Sequence, residues 1–205
     1  GLSDEEHGVA VLTNSTREFE IVGEKFYTIA ITLFRSVGFL GKEEMVRRPG
    51  RPSGIKLPTP DSQLIGNITI DFAIATHEKS TLEANVANMA KQYLTPMVTY
   101  NKMPYNAMKL NDSEVITPYS YSLLKQYDEN LVLSVIKKAE KEEGLIIRMY
   151  NPNEYEESTN ILFDRSIKEA VKANLNERKI EKINIEDSSI KVKCKKNQVQ
   201  TILIK

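Results

Sequence analysis

The chain has 205 residues, of which 40% are hydrophobic and 27% are charged, and its 28 basic residues equal its 28 acidic residues. This composition is typical of a soluble globular domain, and a net charge of zero lacks the basic excess by which proteins bind nucleic acid or anionic membranes. No apolar run approaches the roughly 20 residues that span a bilayer, so we expect neither a nucleic-acid nor a membrane partner.

Alternating hydrophobicity predicts two half-buried strands in the first part of the chain. In residues 27–33 every second side chain, from Tyr27 to Leu33, is apolar, and residues 68–74 repeat the pattern. The segment 47–61 between them contains four prolines and two glycines. That density of turn-forming residues predicts an irregular loop, and long loops in compact domains are usually functional or packed against a partner.

One helix is predicted after the second strand. The sequence Ser80-Thr81-Leu82-Glu83 has the pattern of a capping box, and an apolar stripe follows it at helical spacing until Pro96. Residues 96–118 are rich in methionine, tyrosine and asparagine and predict a second irregular stretch.

The last third of the chain predicts further strands. Residues 131–136 and 145–150 are apolar on both faces, and the polar connection between them ends in Gly144, which predicts an antiparallel hairpin. In residues 190–194 the side chains of Ile190, Val192 and Cys194 alternate with lysines, which predicts an outer strand. A turn follows, and residues 199–203 predict the strand that runs back beside it. Residues 166–178 fit both a helix and a strand, and the sequence leaves the two alternatives open.

Catalytic groups are few. His7 follows three acidic residues, but neighbours in sequence do not converge on one metal ion, so we predict a solvated acidic terminus there and not a metal site. His77 is expected to be a surface residue. Cys194, the single cysteine, is expected to be a buried strand residue, and its isolation fits a reducing compartment. The carboxylates show no paired spacing of the kind that a glycosidase requires. We therefore predict no catalytic residue and no metal site in this chain.

The loop at 47–61 is the exception among these weak signals. Arg47, Arg48 and Arg51 lie within five positions on a backbone that is stiffened by prolines. Guanidinium groups on a rigid loop suit sugar hydroxyls, carboxylates or phosphates. The alternative is an interdomain contact loop whose arginines pair with acidic residues elsewhere. The physical properties of these residues favour neither hypothesis over the other.

Three blocks lie in and around this loop: ITLFRSVG at 31–38, RPGRPSG at 48–54 and PTPDSQL at 58–64. In these blocks the sequence resembles the C-terminal region of glycoside hydrolase family 38 α-mannosidases of the bacterial type. Further blocks agree in order along the chain: SDEEHGVAVL at 3–12, LSVIKKAE at 133–140, IIRMYNP at 146–152, NLNE at 174–177 and TILI at 201–204.

The resemblance implies a fold and a division of labour. The expected fold is mainly β: an antiparallel β-sandwich, supersandwich-like and galactose-mutarotase-like, with one or two short helices, forming a single C-terminal domain over residues 1–205. In the family, a separate N-terminal α/β barrel carries the nucleophilic aspartate and a zinc ion held by Asp and His. We therefore expect the fragment alone to be inactive and without a cofactor, the zinc to belong to the catalytic domain of the parent enzyme, and the location to be cytoplasmic.

The resemblance also implies a role for the arginine loop. The parent enzyme would hydrolyse terminal α-linked mannose, or mannosylglycerate-type residues, with retention of configuration. In animal members an arginine-bearing loop at this point approaches the bound sugar, and residues 35–54 are the analogous stretch here, with Glu43, Glu44 and Arg51 in place of paired aspartates and Arg-Gly. The residues expected at the rim of the sugar pocket are Arg48, Gly50, Arg51, Ser53 and Asp61.

The expected partners are the enzyme's own catalytic barrel and the α-mannoside substrate. The sequence does not decide whether the protein forms a homo-oligomer. Two other hypotheses compete with this one. A stand-alone carbohydrate-binding module would present exposed aromatic side chains to sugar rings, and Tyr100, Tyr105, Tyr119 and Tyr121 could supply them. A purely structural interaction domain would use its long loops to bury an interface.

Overall fold

The computed structural model describes residues 1–4, 6–14, 18–99 and 118–205. In these ranges the chain is built mainly from antiparallel strands, with one short α-helix and one 3-10 helix. It divides into two compact units, residues 1–77 and 78–205. Within the described ranges no helix is long and apolar enough to span a bilayer.

The first unit consists of short strands in three small sheets. Strand β2 lies between β1 and β7, β3 pairs with β4, and β5 pairs with β6. A 3-10 helix spans Pro60–Gln63. The strands are β1 (Leu2–Ser3), β2 (His7–Thr13), β3 (Phe19–Val22), β4 (Thr28–Ile31), β5 (Phe39–Leu40), β6 (Leu57–Pro58) and β7 (Phe72–Glu78).

The first unit has almost no interior of its own. Among its described residues only Gly8, Ala10 and Leu12 are buried, all on one face of β2. Many of its large apolar side chains are more than half exposed: Phe19, Phe26, Tyr27, Phe34, Val37, Phe39, Leu40, Val46, Ile55, Ile65, Phe72 and Ile74. Apolar exposure on this scale marks a surface that packs against another part of a protein.

The second unit is a two-layer β-sandwich. One sheet has five strands in the order β13-β12-β16-β10-β9, and the other has four in the order β14-β15-β11-β8. Helix α1 (Val86–Tyr93) contacts β9. The strands are β8 (Leu124–Gln126), β9 (Val132–Lys138), β10 (Leu145–Tyr150), β11 (Glu157–Phe163), β12 (Ala170–Ala173), β13 (Lys179–Lys182), β14 (Ile185–Glu186), β15 (Ser189–Cys194) and β16 (Val199–Ile204).

The core of this unit lies between the two sheets. Ile147 and Ile202 are cross-strand partners in the five-stranded sheet, and they pack in one cluster with Ile161, Ile190 and Cys194 of the four-stranded sheet. Burial raises the pKa of the Cys194 thiol to about 11, so the thiol stays protonated near neutral pH. The prediction of a buried strand cysteine is confirmed.

The predicted fold class, a mainly β protein with an antiparallel sandwich, is confirmed. The hairpin is confirmed as β9 and β10, which pair from Leu145 opposite Lys138 to Tyr150 opposite Val132. The strand predicted over residues 27–33 is present as β4. The expectation of a single domain over residues 1–205 stays a prediction, because compactness alone does not show whether the two units fold independently.

Two local predictions are corrected. Strand β7 begins at Phe72, so residues 68–71 are not in a strand. Their alternating pattern is not sufficient, because a strand also needs a neighbouring strand with which to form hydrogen bonds. The capping box forms, with Ser80 Oγ donating to Glu83 Oε2 at 2.7 Å, but it closes a turn. Asn85 then adopts a left-handed conformation with φ of 54°, so the α-helix begins only at Val86.

The prediction of an outer, lysine-bearing strand fits β15. It pairs with β11 along its whole length, whereas β14 pairs only with Ser189 and Ile190, so among the described residues no strand pairs with the other edge at Lys191 and Lys193. Its lysines mark the outer face of the sheet, while Ile190, Val192 and Cys194 face the core. The ambiguous segment 166–178 contains strand β12, because Ala170 to Ala173 pair with Ile204 to Thr201 of β16.

We predict that Ile202→Ala lowers the free energy of unfolding by about 2–5 kcal/mol, because it opens a cavity at the centre of the sandwich. Val199→Ala in the same strand is the control, since Val199 is 48% exposed, and it should cost less than about 1 kcal/mol. Urea unfolding followed by circular dichroism measures both. Equal losses in the two variants would contradict the proposed position of the core.

Candidate functional site

In the structure the arginine loop is the segment 41–56, which connects β5 to β6 and is tied at its base, while the rest of the predicted irregular stretch holds β6 and the start of the 3-10 helix. Ser53 N donates to Lys42 O at 2.8 Å, and Lys42 N donates to Ser53 Oγ at 2.7 Å. The two strands are in register, with Leu40 opposite Leu57. Ser53, predicted as a rim residue, therefore holds the two ends of the loop together.

Two glycines shape the loop for different reasons. Gly41 has φ of +81°, and a Cβ at this position would lie 2.5 Å from the carbonyl oxygen of Ile55. Gly50 has φ of +72°, but a Cβ there would have no other atom within 4 Å, so this position needs conformational freedom and not space. Gly50 therefore lets the tip of the loop turn, whereas Gly41 lets the backbones at the base approach closely.

The arginine side chains project from consecutive turns at the tip of the loop. Arg48 N donates to Met45 O at 3.0 Å, and Arg51 N donates to Arg48 O at 3.1 Å. Arg47, Arg48 and Arg51 are exposed, and none of them forms an ion pair in the described parts of the chain. The hypothesis that acidic residues elsewhere neutralise them thus has no support within those parts.

A groove of about 530 Å³ lies at the base of the loop and is lined by residues of 37–44 together with Lys56. Lys56 Nζ lies 5.0 Å from the centre of the Phe39 ring and 3.6 Å from a carboxylate oxygen of Glu43. Sequence analysis did not identify Phe39 or Lys56, because 17 positions separate them and only the pairing of β5 with β6 brings them together.

Asp61 stands apart from the arginines. It lies in the first turn of the 3-10 helix, which Thr59 connects to the base of β5 through a hydrogen bond from its amide to Gly38 O at 3.0 Å. No hydrogen bond or ion pair joins Asp61 to Arg48 or Arg51 in the described residues. The five rim candidates therefore occupy three places: the loop tip, the loop base and the neighbouring 3-10 helix.

The remaining candidates do not form a reaction centre in the part of the chain that the structure covers. Across that part, no group of three or more His, Cys, Asp or Glu side chains could hold a metal ion. His7 is exposed in β2, and the His77 ring lies against Gly8, where an added Cβ would be 2.0 Å from Cε1. Of the four tyrosines proposed for a sugar platform, Tyr119 and Tyr121 are exposed, and Tyr100 and Tyr105 lie outside the described residues.

We predict that Gly41→Ala loosens the loop, because the new methyl group would collide with the backbone at Ile55. Hydrogen exchange of the Ser53 amide, which is bonded to Lys42 O, should become faster. Gly50→Ala is the matched control: it imposes similar backbone strain in open space and should leave exchange at Ser53 close to that of the original chain. Slow exchange at Ser53 in Gly41→Ala would show that the base is not held by this close approach.

The chain has recognisable relatives. Residues 130–202 match the family described as "Glycosyl hydrolases family 38 C-terminal beta sandwich domain". A protein of Halalkalibacterium halodurans with the name "Putative mannosylglycerate hydrolase" is 28% identical over 94% of this chain and 19% of its own length. A crystal structure of a glycosyl hydrolase family 38 protein from Enterococcus faecalis matches 98% of this chain and 21% of its own, with a TM-score of 0.69 and 17% identity.

The chain thus spans about a fifth of the length of these two relatives. The family match covers most of the second unit, and the structural match, over 98% of this chain, shows a similar fold. These findings confirm the resemblance seen in the sequence: the chain is similar to the C-terminal region of glycoside hydrolase family 38 proteins.

Proposed function

We propose that the chain is the non-catalytic C-terminal portion of a retaining family 38 glycosidase that acts on terminal α-linked mannose or on mannosylglycerate-type substrates. In this proposal the first unit packs on a catalytic barrel, and the arginine loop forms part of the rim of its sugar pocket. The observation that carries the proposal is the set of three exposed guanidinium groups, without carboxylate partners among the described residues, on a loop whose base is fixed by hydrogen bonds.

The exposed apolar surface of the first unit supports the packing role. Side chains such as Val46, Ile55 and Ile65, at 93%, 78% and 94% exposure, would be unfavourable on a surface that stays in water. Val46 and Ile55 lie in the same loop as the arginines. A partner that covers these apolar side chains would therefore also come close to the guanidinium groups.

The chemistry of the loop suits a sugar-binding rim. An arginine donates up to five hydrogen bonds in a fixed plane and binds a carboxylate through two of them. Sugar hydroxyls accept such bonds, and the glycerate group of a mannosylglycerate-type substrate is a carboxylate. Because the base of the loop is fixed before a ligand arrives, little conformational entropy would be lost on binding.

The hydrolytic groups themselves are assigned to the barrel. Retaining glycosidases need two carboxyl groups about 5 Å apart, on either side of the scissile bond. The described residues also do not form a zinc site, because no three of their His, Cys, Asp or Glu side chains lie close enough together to hold a metal ion. The zinc of the parent enzyme and the cytoplasmic location stay predictions, and no chemical step is assigned to this chain.

We predict that the purified 205-residue chain does not hydrolyse an aryl α-mannoside or mannosylglycerate with or without added zinc, whereas the longer protein that carries it does. Release of the aryl group or of mannose provides the assay. Zinc-dependent hydrolysis by the 205-residue chain would contradict the assignment of all the chemistry to the barrel.

In the longer protein, Arg51→Ala and Arg48→Ala should each lower kcat/KM by about 10- to 100-fold, the effect of losing a charge-assisted hydrogen bond worth about 1.5–3 kcal/mol. Arg165→Ala removes an equally exposed arginine from the second unit and should leave kcat/KM unchanged. Circular dichroism checks that the variants are folded. Full activity in both loop variants would favour the purely structural interaction domain over a rim.

A further inference from the structure

A second groove lies on the outer face of the four-stranded sheet, away from the core that the sheet covers. Its volume is about 760 Å³, within the range of small-molecule sites. Side chains alternate between the faces of a strand, so Asn160 and Leu162 point outward from β11 while Ile161 is buried in the core. The groove therefore opens on the solvent-facing side of the second unit, and the core residue Ile190 and the neighbouring Ile183 form its floor.

Polar groups and one aromatic ring follow each other across this face. Asn160 of β11 is paired with Lys191 of β15, and Tyr127, which follows β8, donates its amide to Asn160 O at 3.1 Å. Asn184 completes the row just before β14. Four adjacent strands span about 14 Å, which exceeds the width of one hexose ring. The row can thus contact more than one sugar unit.

Three of the four side chains in this row, all except that of Asn184, are available to a ligand. Those of Asn160 and Lys191 make no hydrogen bond or ion pair within the described residues, and the Tyr127 ring is 55% exposed. Lys125 Nζ lies 5.4 Å from the centre of that ring. An amide, an ammonium and an aromatic face offer hydrogen bonds to hydroxyl groups and a packing surface for the C–H face of a sugar.

One wall of the groove is a rigid turn. Asp187 and Ser188, between β14 and β15, have φ of 47° and 62°, as in a tight two-residue hairpin. Ser188 O accepts a hydrogen bond from the amide of Phe163 at 3.0 Å, which holds the turn against β11. Asn184 Nδ2 donates to Glu186 Oε1 at 3.0 Å and orients that carboxylate. The acidic wall is thus ordered before any ligand arrives.

The charges around the groove nearly cancel. Glu186, Asp187 and Lys191 line it, and Lys125, beside the Tyr127 ring, adds a second ammonium group next to the lining. A net positive site would favour phosphate or carboxylate groups, and a net negative site would favour cations. From this balance, the exposed tyrosine and the free amide, we propose that the groove binds a neutral oligosaccharide at a site separate from the arginine loop.

This binding site does not depend on the proposed function, because it requires neither a catalytic barrel nor the arginines of the first unit. A failure of the activity predictions would leave it intact, and the reverse also holds.

Titration of the isotope-labelled 205-residue chain with α-linked mannotriose, maltotriose and cellotriose, followed by NMR, tests the site. We expect saturable shifts with at least one of the three at about 10 mM or below, at the amides of Asn160 and Lys191. Tyr127→Ala should weaken that binding by about tenfold, and Tyr127→Phe, which keeps the ring, should retain it.

Tyr155→Ala is the matched control, because Tyr155 is 60% exposed but does not line the groove, and it should bind as the original chain does. Absence of saturable shifts with all three sugars would overturn the proposal. So would binding that survives Tyr127→Ala, or tighter binding of mannose 6-phosphate than of every neutral sugar.

Discussion

The burial of one sheet face against another is the interaction on which the second unit depends. The pairing of Ile147 with Ile202 places two fully buried β-branched side chains at the centre of the five-stranded sheet, opposite Ile161 and Ile190. Because the inner faces are committed to this core, the outer faces are left for polar contacts, and the loops between strands remain on the surface. The groove beside Tyr127 is a direct consequence of that division.

In the first unit, by contrast, most of the large apolar side chains are exposed and not buried in a core. Its interior is limited to small or single aliphatic residues on β2, such as Ala10 and Leu12, while aromatic and branched side chains lie in contact with water. Covering a surface of this kind with another body would remove its apolar side chains from water, which is favourable. This difference explains how a chain that spans about a fifth of its relatives can contain both a well-packed sandwich and a unit suited to an interface.

The two candidate binding surfaces differ in how they are held. The arginine loop depends on a few backbone contacts, chiefly those of Ser53 with Lys42 and the close approach at Gly41. The groove on the sheet inherits its rigidity from the ladder between β11 and β15. A loop can adjust to a partner that completes a pocket, whereas a sheet face presents a preformed row of groups.

The sequence by itself determined the features that arise from local patterns. Alternating apolar residues predicted the hairpin of β9 and β10, prolines and glycines predicted the arginine loop, and the family blocks predicted the sandwich. The rim residues Arg48, Gly50, Arg51, Ser53 and Asp61 were predicted as one group, but their separation into tip, base and 3-10 helix depended on chain pairing.

Only the tertiary structure decided which patterns found partners. Residues 68–71 alternate as a strand does but are not paired as one, and the burial of Ile190, Val192 and Cys194 in the core shows that the lysines of β15 lie on the outer face of the sheet. Likewise, Tyr127, Asn160 and Lys191 are remote in the sequence and adjacent across three strands. The physical reason is that hydrogen-bonded pairing and burial join residues that are far apart along the chain, and no local pattern encodes their distance.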